Sequence, residues 1–158
     1  MKNQSPSQLV LQSSEDEDSA DAKAIHAQLR DHISAEAGPS NRRALIISAR
    51  LKTDVMLIGG LKGFSHWSWL YISHLWVAEA NRSQNIGQML IDAAIAEARL
   101  RQLHGLYVDT FSAKARDFYL RCGFKEFGKL ADFPPGQNRY FLSRQLYEPT
   151  RSLLDNTD

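Results

Sequence analysis

The chain has 158 residues, the size of one domain, with 43% hydrophobic residues and a formal net charge of +1. This balance gives neither the basic footprint of a nucleic-acid binder nor the charge excess of a disordered chain. A lone cysteine, Cys122, excludes an internal disulfide framework.

The opening "MKNQSPSQLV" lacks the apolar core of a signal sequence, and no apolar run approaches the roughly 20 residues that span a bilayer. The expectation is a cytoplasmic protein without membrane or nucleic-acid partners, with one domain over residues 1–148 and a tail over residues 149–158. "QLVLQ" predicts a short strand. In "SSEDEDSADA", serine and aspartate offer helix caps, and Glu15, Asp16, Glu17 and Asp18 complement the positive end of a helix dipole. A short helix follows on the stripe Ala22, Ile25, Leu29 and Ile33, stopped by "AGPSN".

Three strands come next, "RALIISARL", "VMLIGGLKGF" and "WLYISHLWV", with the turn residues of "KTD" and the polar break "SHWS" between them. They predict an antiparallel meander. "IGQMLIDAAIAEARLRQL" carries Met89, Ala93, Ala96, Leu100 and Leu103 at helical spacing, which predicts a helix of about five turns with that stripe inward. Gly105 is read as its stop. "LYVDTF" alternates as a strand, and "SAKARDFYLRCGF" predicts a shorter helix closed by Cys-Gly. "GFKEFG" and "RYFLSRQL" then pair around the loop "DFPPGQN". The strand, long helix and strand from Trp69 to Phe111 predict a parallel crossover within a mostly antiparallel sheet.

That order puts "NRSQNIGQML" at the N-terminus of the long helix, where free N–H groups and the helix dipole favour an anion such as phosphate. With only Gly87 in the stretch, neither the three-glycine dinucleotide fingerprint nor a Walker A loop is present. His26, His32, His66, His74 and His104 lack metal-ligand spacing, so no metal is expected. Cys122 falls at a helix end, where the negative dipole pole disfavours a thiolate nucleophile.

Two blocks in order carry a resemblance. "VAEANRSQNIGQML" is similar to the acyl-CoA pyrophosphate loop of the GNAT superfamily of N-acetyltransferases, reading Arg82-Ser83-Gln84-Asn85-Ile86-Gly87. "TFSAKARDFYLRCGF" resembles the family's Asn-x-x-Ala-x-x-x-Tyr-x-x-x-Gly-Phe block, with Ser112 where Asn is usual, then Ala115, Tyr119 and Gly123. "IGGLKGFSHWSWLYISHLWV", "LYVDTFS" and "DFPPGQNRYFL" add a resemblance to a bacterial branch of that superfamily. Together they cover nearly everything from Ile25 to Leu146.

The resemblance implies an α/β (α+β) fold, with a mixed, mostly antiparallel central sheet of six to seven strands flanked by helices and one parallel βαβ crossover. It implies transfer of an acetyl group from acetyl-CoA to an amine, on a small molecule or peptide, by direct attack in a ternary complex. Acetyl-CoA would contact Leu75, Trp76, Val77, the run Arg82, Ser83, Gln84, Asn85, Ile86, Gly87 and Gln88, and then Ser112, Phe118 and Tyr119. Asn85 departs from the usual loop glycine, and asparagine is the non-glycine residue that best tolerates left-handed backbone.

A backbone N–H of Leu75, Trp76 or Val77 would meet the carbonyl oxygen as it gains charge. Tyr119 matches the general acid that protonates the departing thiolate. For the base, Ser73 stands where this branch often has an acid; His74, Asp109 and Glu79 are candidates, with Asp109 or His74 favoured, and strand alternation puts Ser73 and His74 on opposite faces unless a bulge intervenes. Trp67, Trp69, Phe133 and Tyr140 offer flat apolar surface for the acceptor, or a homodimer contact. A catalytically degenerate acyl-CoA sensor or assembly module is the competing expectation, kept open by Asn85 and Ser73.

Overall fold

The structure is a computed structural model that describes residues 9–52 and 55–147. They fall into two compact units, the chain passing from the first to the second between Pro39 and Ser40. In the first, helix α1 (Ala20–Ala37) is capped by Ser19, whose side chain accepts from the Ala22 N–H at 3.2 Å. Gly38, at φ 74°, ends it, a conformation that glycine adopts without steric cost. With 18 residues α1 is longer than the sequence suggested, since no breaker precedes the Gly38-Pro39 pair. Residues 9–12, expected as a strand, form none. Leu9, Val10 and Leu11 are a consecutive apolar run without the alternation of a half-buried strand.

The second unit holds a six-stranded sheet: β1 (Arg43–Arg50), β2 (Leu57–His66), β3 (Trp69–Val77), β4 (Gly105–Thr110), β5 (Lys125–Ala131) and β6 (Asn138–Gln145). The strand order is β1-β2-β3-β4-β6-β5, and β3 and β4 are the parallel pair in an otherwise antiparallel sheet. Trp67, at φ 45°, turns β2 into β3. The β5–β6 loop contains a cis Phe133-Pro134 peptide, and the Asp132 carboxylate accepts from the Gly136 N–H at 2.6 Å. Thr53 and Asp54 of "KTD" and the tail from Glu148 lie outside the described residues.

Helices α2 (Ile86–Leu100) and α3 (Ala113–Arg121) pack into one core with one face of the sheet. Leu70, Ile72, Leu106, Val108 and Leu142 of the central strands are at most 3% exposed, each contributing about 1.5–3 kcal/mol on burial. The face that α2 turns inward is not the predicted one. It buries Leu90, Ile91, Ala94, Ile95 and Ala98, whereas Met89 and Leu100 are 65% and 78% exposed and Ala93 and Ala96 also face solvent. This helix is apolar on two sides. Burying Ile91 and Ile95 removes more apolar area from water than burying Ala93 and Ala96.

Of the predicted stripe only Leu103 is buried, and it lies beyond the helix, which ends at Leu100. Gly105 does not stop the helix. Gln102 reverses the chain at φ 57°, and Gly105 opens β4, where a Cβ would lie 2.6 Å from both the Arg144 carbonyl and the Trp69 ring. Arg101 fastens this end of α2. Its guanidinium pairs with Glu97 at 2.7 Å and donates to the Ser65 hydroxyl at 3.1 Å and the Ala44 carbonyl at 3.2 Å.

One irregularity sets the geometry of β3. Lys62 pairs with His74 and Gly63 with Ile72, so Ser73 is an extra residue without a partner on β2. Gly63 is required opposite this bulge, because a Cβ there would overlap the Tyr71 carbonyl. Beyond the bulge, Leu75 and Val77 return to the helix-covered face and pack against the core.

The inward face of α2 can be checked by paired charge insertions read in urea titrations. Ala94→Glu, at a fully buried position, should destabilise by about 3 kcal/mol or more, and Ala93→Glu by no more than about 0.5 kcal/mol.

Candidate active site

The site begins where β3 and β4 part. Their pairing covers only Trp69–Ile72 against Gly105–Val108, so from Ser73 to Val77 the edge of β3 that faces β4 has no partner strand. The open edge leads to a 3-10 turn (Glu79–Asn81) and then to the N-terminus of α2. There Ser83 and Asn85 take φ values of 65° and 60°, and Asn85 makes no side-chain cap. A left-handed Asn85 followed by a helical Ile86 turns successive N–H groups to one side. The first intrahelical bond is from the Met89 N–H to the Asn85 carbonyl, so the amides of Ile86, Gly87 and Gln88 have no partner within the helix.

These amides border a cleft of about 750 Å³ between the end of β3, the loop and the start of α3. Among the described residues, Arg82, Lys114 and Arg121 line it and no carboxylate does. Arg82 also ties the loop to β3, donating from Nε to the Val77 carbonyl at 3.3 Å. A Cβ on Gly87 would be 3.2 Å from the Phe118 ring, so glycine lets the first turn of α2 close on α3. Ser112 caps α3, accepting from the Ala115 N–H at 3.2 Å, and borders the same cleft.

Of the residues expected to contact acyl-CoA, Leu75, Trp76, Val77, Arg82, Ser83 and Asn85 line this cleft, as do Ile86, Gly87, Gln88, Ser112 and Phe118. Gln84 does not: its amide turns back to the Ala80 carbonyl at 3.5 Å. Tyr119 also lies outside the lining, 5% exposed between the rings of Phe118 and Phe124. Burial, then the charges of Cys122 and Asp109, push its phenol well above the ordinary range, so it stays protonated. Asn81 and Ala115 join the lining without having been anticipated. Lys114 and Arg121 are surface cations in the sequence, and only the seating of α3 brings them to this cleft.

On the opposite face of the sheet, Asp109 is wedged into a polar cluster. The Tyr71 hydroxyl donates to its Oδ1 at 2.6 Å, and Arg139 donates from Nε to its Oδ2 at 2.6 Å and pairs through Nη2 as well. Burial first, and the Asp109 bond second, push Tyr71 up to about 12. Tyr107 stacks on Tyr71 at 4.8 Å and is raised by burial and by Asp109. His74 is exposed, its Nδ1 2.9 Å from the Ser73 hydroxyl. Arg139 has no signal of its own in the sequence; only the β4–β6 register brings it to Asp109.

The four aromatics expected around an acceptor do not form one group. Trp67 and Trp69 line an apolar cavity of about 440 Å³ with His66, Tyr107 and Phe127. Phe133 lies 4.8 Å beneath the Arg139 guanidinium. Tyr140 is on the other face, packed against the core and 5.2 Å from Arg116, because alternation along β6 sets it opposite to Phe141 and Asp109. Among the described residues no three His, Cys, Asp or Glu side chains are grouped to hold a metal, and no helix is long and apolar enough to cross a membrane.

A mixed sheet that splays beside a cationic, amide-lined helix start defines a class of acyltransferase folds. Residues 10–124 match the acetyltransferase (GNAT) family, and the chain belongs to it. An acetyltransferase of Agrobacterium fabrum is 38% identical over 131 residues, 81% of this chain and 95% of its own. A blasticidin-S acetyltransferase of Streptomyces morookaense is 38% identical over 93 residues, 57% of this chain and 67% of its own. A solved Agrobacterium tumefaciens structure, assigned as an acetyltransferase, superposes with a TM-score of 0.74 at 36% identity, covering 87% of this chain and 98% of that one. The mixed sheet with a single parallel pair is the fold of that structure.

Cys122 should be inert in the folded protein. Burial, with Asp92 adding to it, pushes its thiol up to about 11, and its Sγ donates to the Gln88 side chain at 3.1 Å. Labelling with a chromogenic disulfide at pH 8 should therefore be slow on the native chain and rapid once it is unfolded in urea.

Proposed function

We propose that this protein transfers an acetyl group from acetyl-CoA to the nitrogen of an amine, with donor and acceptor bound together at the β3–β4 splay. The observation that carries this reading is the cleft at the α2 N-terminus, which among the described residues gathers three cations and free backbone amides without a carboxylate. A diphosphate flanked by a flexible amide-bearing arm matches that lining. Acetyl-CoA, when bound, supplies the activated thioester.

The chain's own groups divide the remaining work. The amides of Ile86, Gly87 and Gln88, with Arg82, Lys114 and Arg121, hold the pyrophosphate. The unpaired edge of Leu75, Trp76 and Val77 receives the pantetheine arm as an added strand would be received and gives an N–H to the carbonyl oxygen. Tyr119, kept protonated by burial, gives its proton to the departing sulfur as the carbon–sulfur bond breaks. Asn85 keeps the left-handed conformation that the loop needs, which favours a working donor site over a degenerate one. The relative named for blasticidin S supports a small-molecule acceptor.

Calorimetric titration with acetyl-CoA, CoA and ATP tests the donor site, followed by an amine screen for CoA release. Selective binding of the CoA pair is expected; equal binding of ATP, or none of the three, would overturn the reading. Gly87→Glu should weaken acetyl-CoA binding at least tenfold, since the new side chain collides with Phe118 and sets a negative charge at the cleft. Tyr119→Phe should lower kcat by about tenfold or more with little change in CoA affinity, because general acid catalysis is typically worth 10²–10⁴-fold.

A further inference from the structure

An amine that attacks a thioester must lose a proton, and three groups near the splay are already engaged. Asp109 has Tyr71 on one oxygen and Arg139 on the other. Tyr71 donates its own proton to that carboxylate, and Tyr119 is buried on the helix side of the sheet. Ser73 and His74 differ. They sit at the point of divergence, since the last parallel pair is Ile72 with Val108. The bulge also moves His74 to a new face. Simple alternation would set it with Leu70 and Ile72 under the helices; with Ser73 unpaired, it shares the exposed face with Lys62.

The hydrogen bonds fix which ring nitrogen is available. The Ser73 hydroxyl donates to the Lys62 carbonyl at 3.0 Å, and a carbonyl can only accept, so the single hydroxyl proton is committed there. The 2.9 Å contact between Ser73 Oγ and His74 Nδ1 then has the imidazole as donor. In the neutral ring Nδ1 carries the proton and Nε2 offers a lone pair.

We infer that His74 Nε2 takes the proton of the acceptor amine, and that Ser73 is a positioning residue that holds the imidazole in the required tautomer. The inference rests on the acetyl-transfer reading. As the nitrogen–carbon bond forms, the amine proton passes to Nε2, the carbon–sulfur electron pair leaves with the sulfur, and Tyr119 protonates it. Water then carries the proton from the imidazolium back to the phenolate. The charged or titratable residues on the same side of the sheet are Lys62, which pairs with His74 from β2, Tyr71 of its own strand, and Asp109 of β4 with its partner Arg139.

Long-range proton–nitrogen spectra of the imidazoles at pH 8 read the tautomer without any acceptor. His74 should be protonated on Nδ1 in the wild type, and Ser73→Ala should shift it toward the Nε2-protonated form; an Nε2-protonated wild-type ring would overturn the inference. With an acceptor from the amine screen, the wild-type kcat should rise with pH, because the ring acts only once its proton is gone. His74→Gln should lower kcat at least tenfold and flatten that limb with acetyl-CoA affinity kept, and Ser73→Thr should retain most of the rate that Ser73→Ala loses. An unchanged kcat and pH profile in His74→Gln would refute the role of His74. Loss of acetyl-CoA binding by the wild type would instead refute the underlying acetyl-transfer reading.

Discussion

One unpaired residue in β3 governs the geometry around it. Inserting Ser73 opposite the Lys62–Gly63 step reverses the alternation of everything after it, so that Leu75 and Val77 join the core beneath α2 while His74 and Trp76 turn to the other face. The added twist of a bulge also turns the strand away from β4, whose pairing ends one residue earlier. A single local irregularity thus both opens the sheet and sorts the side chains around the opening. Gly63 is its counterpart, the residue whose missing side chain makes room for the Tyr71 carbonyl.

The two sides of the sheet then carry different electrostatics. On the helix side, three cations and a set of free amides gather where α2 begins. On the other side, the Asp109 carboxylate is surrounded by tyrosine and arginine, with stacked rings behind it. An anionic donor would therefore meet complementary surroundings on the helix side of the splay, whereas on the other side the charge of Asp109 is already matched by Arg139.

Much of this architecture was legible in the sequence because the signals were local. The strand "WLYISHLWV" has the bounds Trp69–Val77 expected of it, and Ser112 caps α3 where the helix was read to start. The loop residues 82–88 were placed correctly at the head of α2 because a strand, a polar junction and a long helix occur there in order. What failed was a choice between near-equals. Helix α2 is apolar on two faces, and spacing alone could not tell the Ala93 stripe from the Ile91 one; the sheet it packs against decided. The bulge was equally hidden, although Gly63 inside a strand was a signal that could have located it. The Asp109–Arg139 pair depended on a strand register that no local pattern encodes.

The order in which the strands pair in space bears on how the chain comes together. β1, β2 and β3 follow one another and pair as neighbours, whereas the β3–β4 ladder forms only after the whole of α2 has been looped out between its partners. Closing such a loop costs more chain entropy than turning a hairpin, so the meander is the part of the sheet that can assemble early and the parallel seam the part that closes late. The loop at the head of α2 lies inside the segment enclosed by that seam. An anion bound jointly by this loop and the free edge of β3 would bridge the two sides of the closure and, by mass action, raise the free energy needed to reopen it. Ligand occupancy and the integrity of the least locally encoded joint in the sheet are in this way thermodynamically linked.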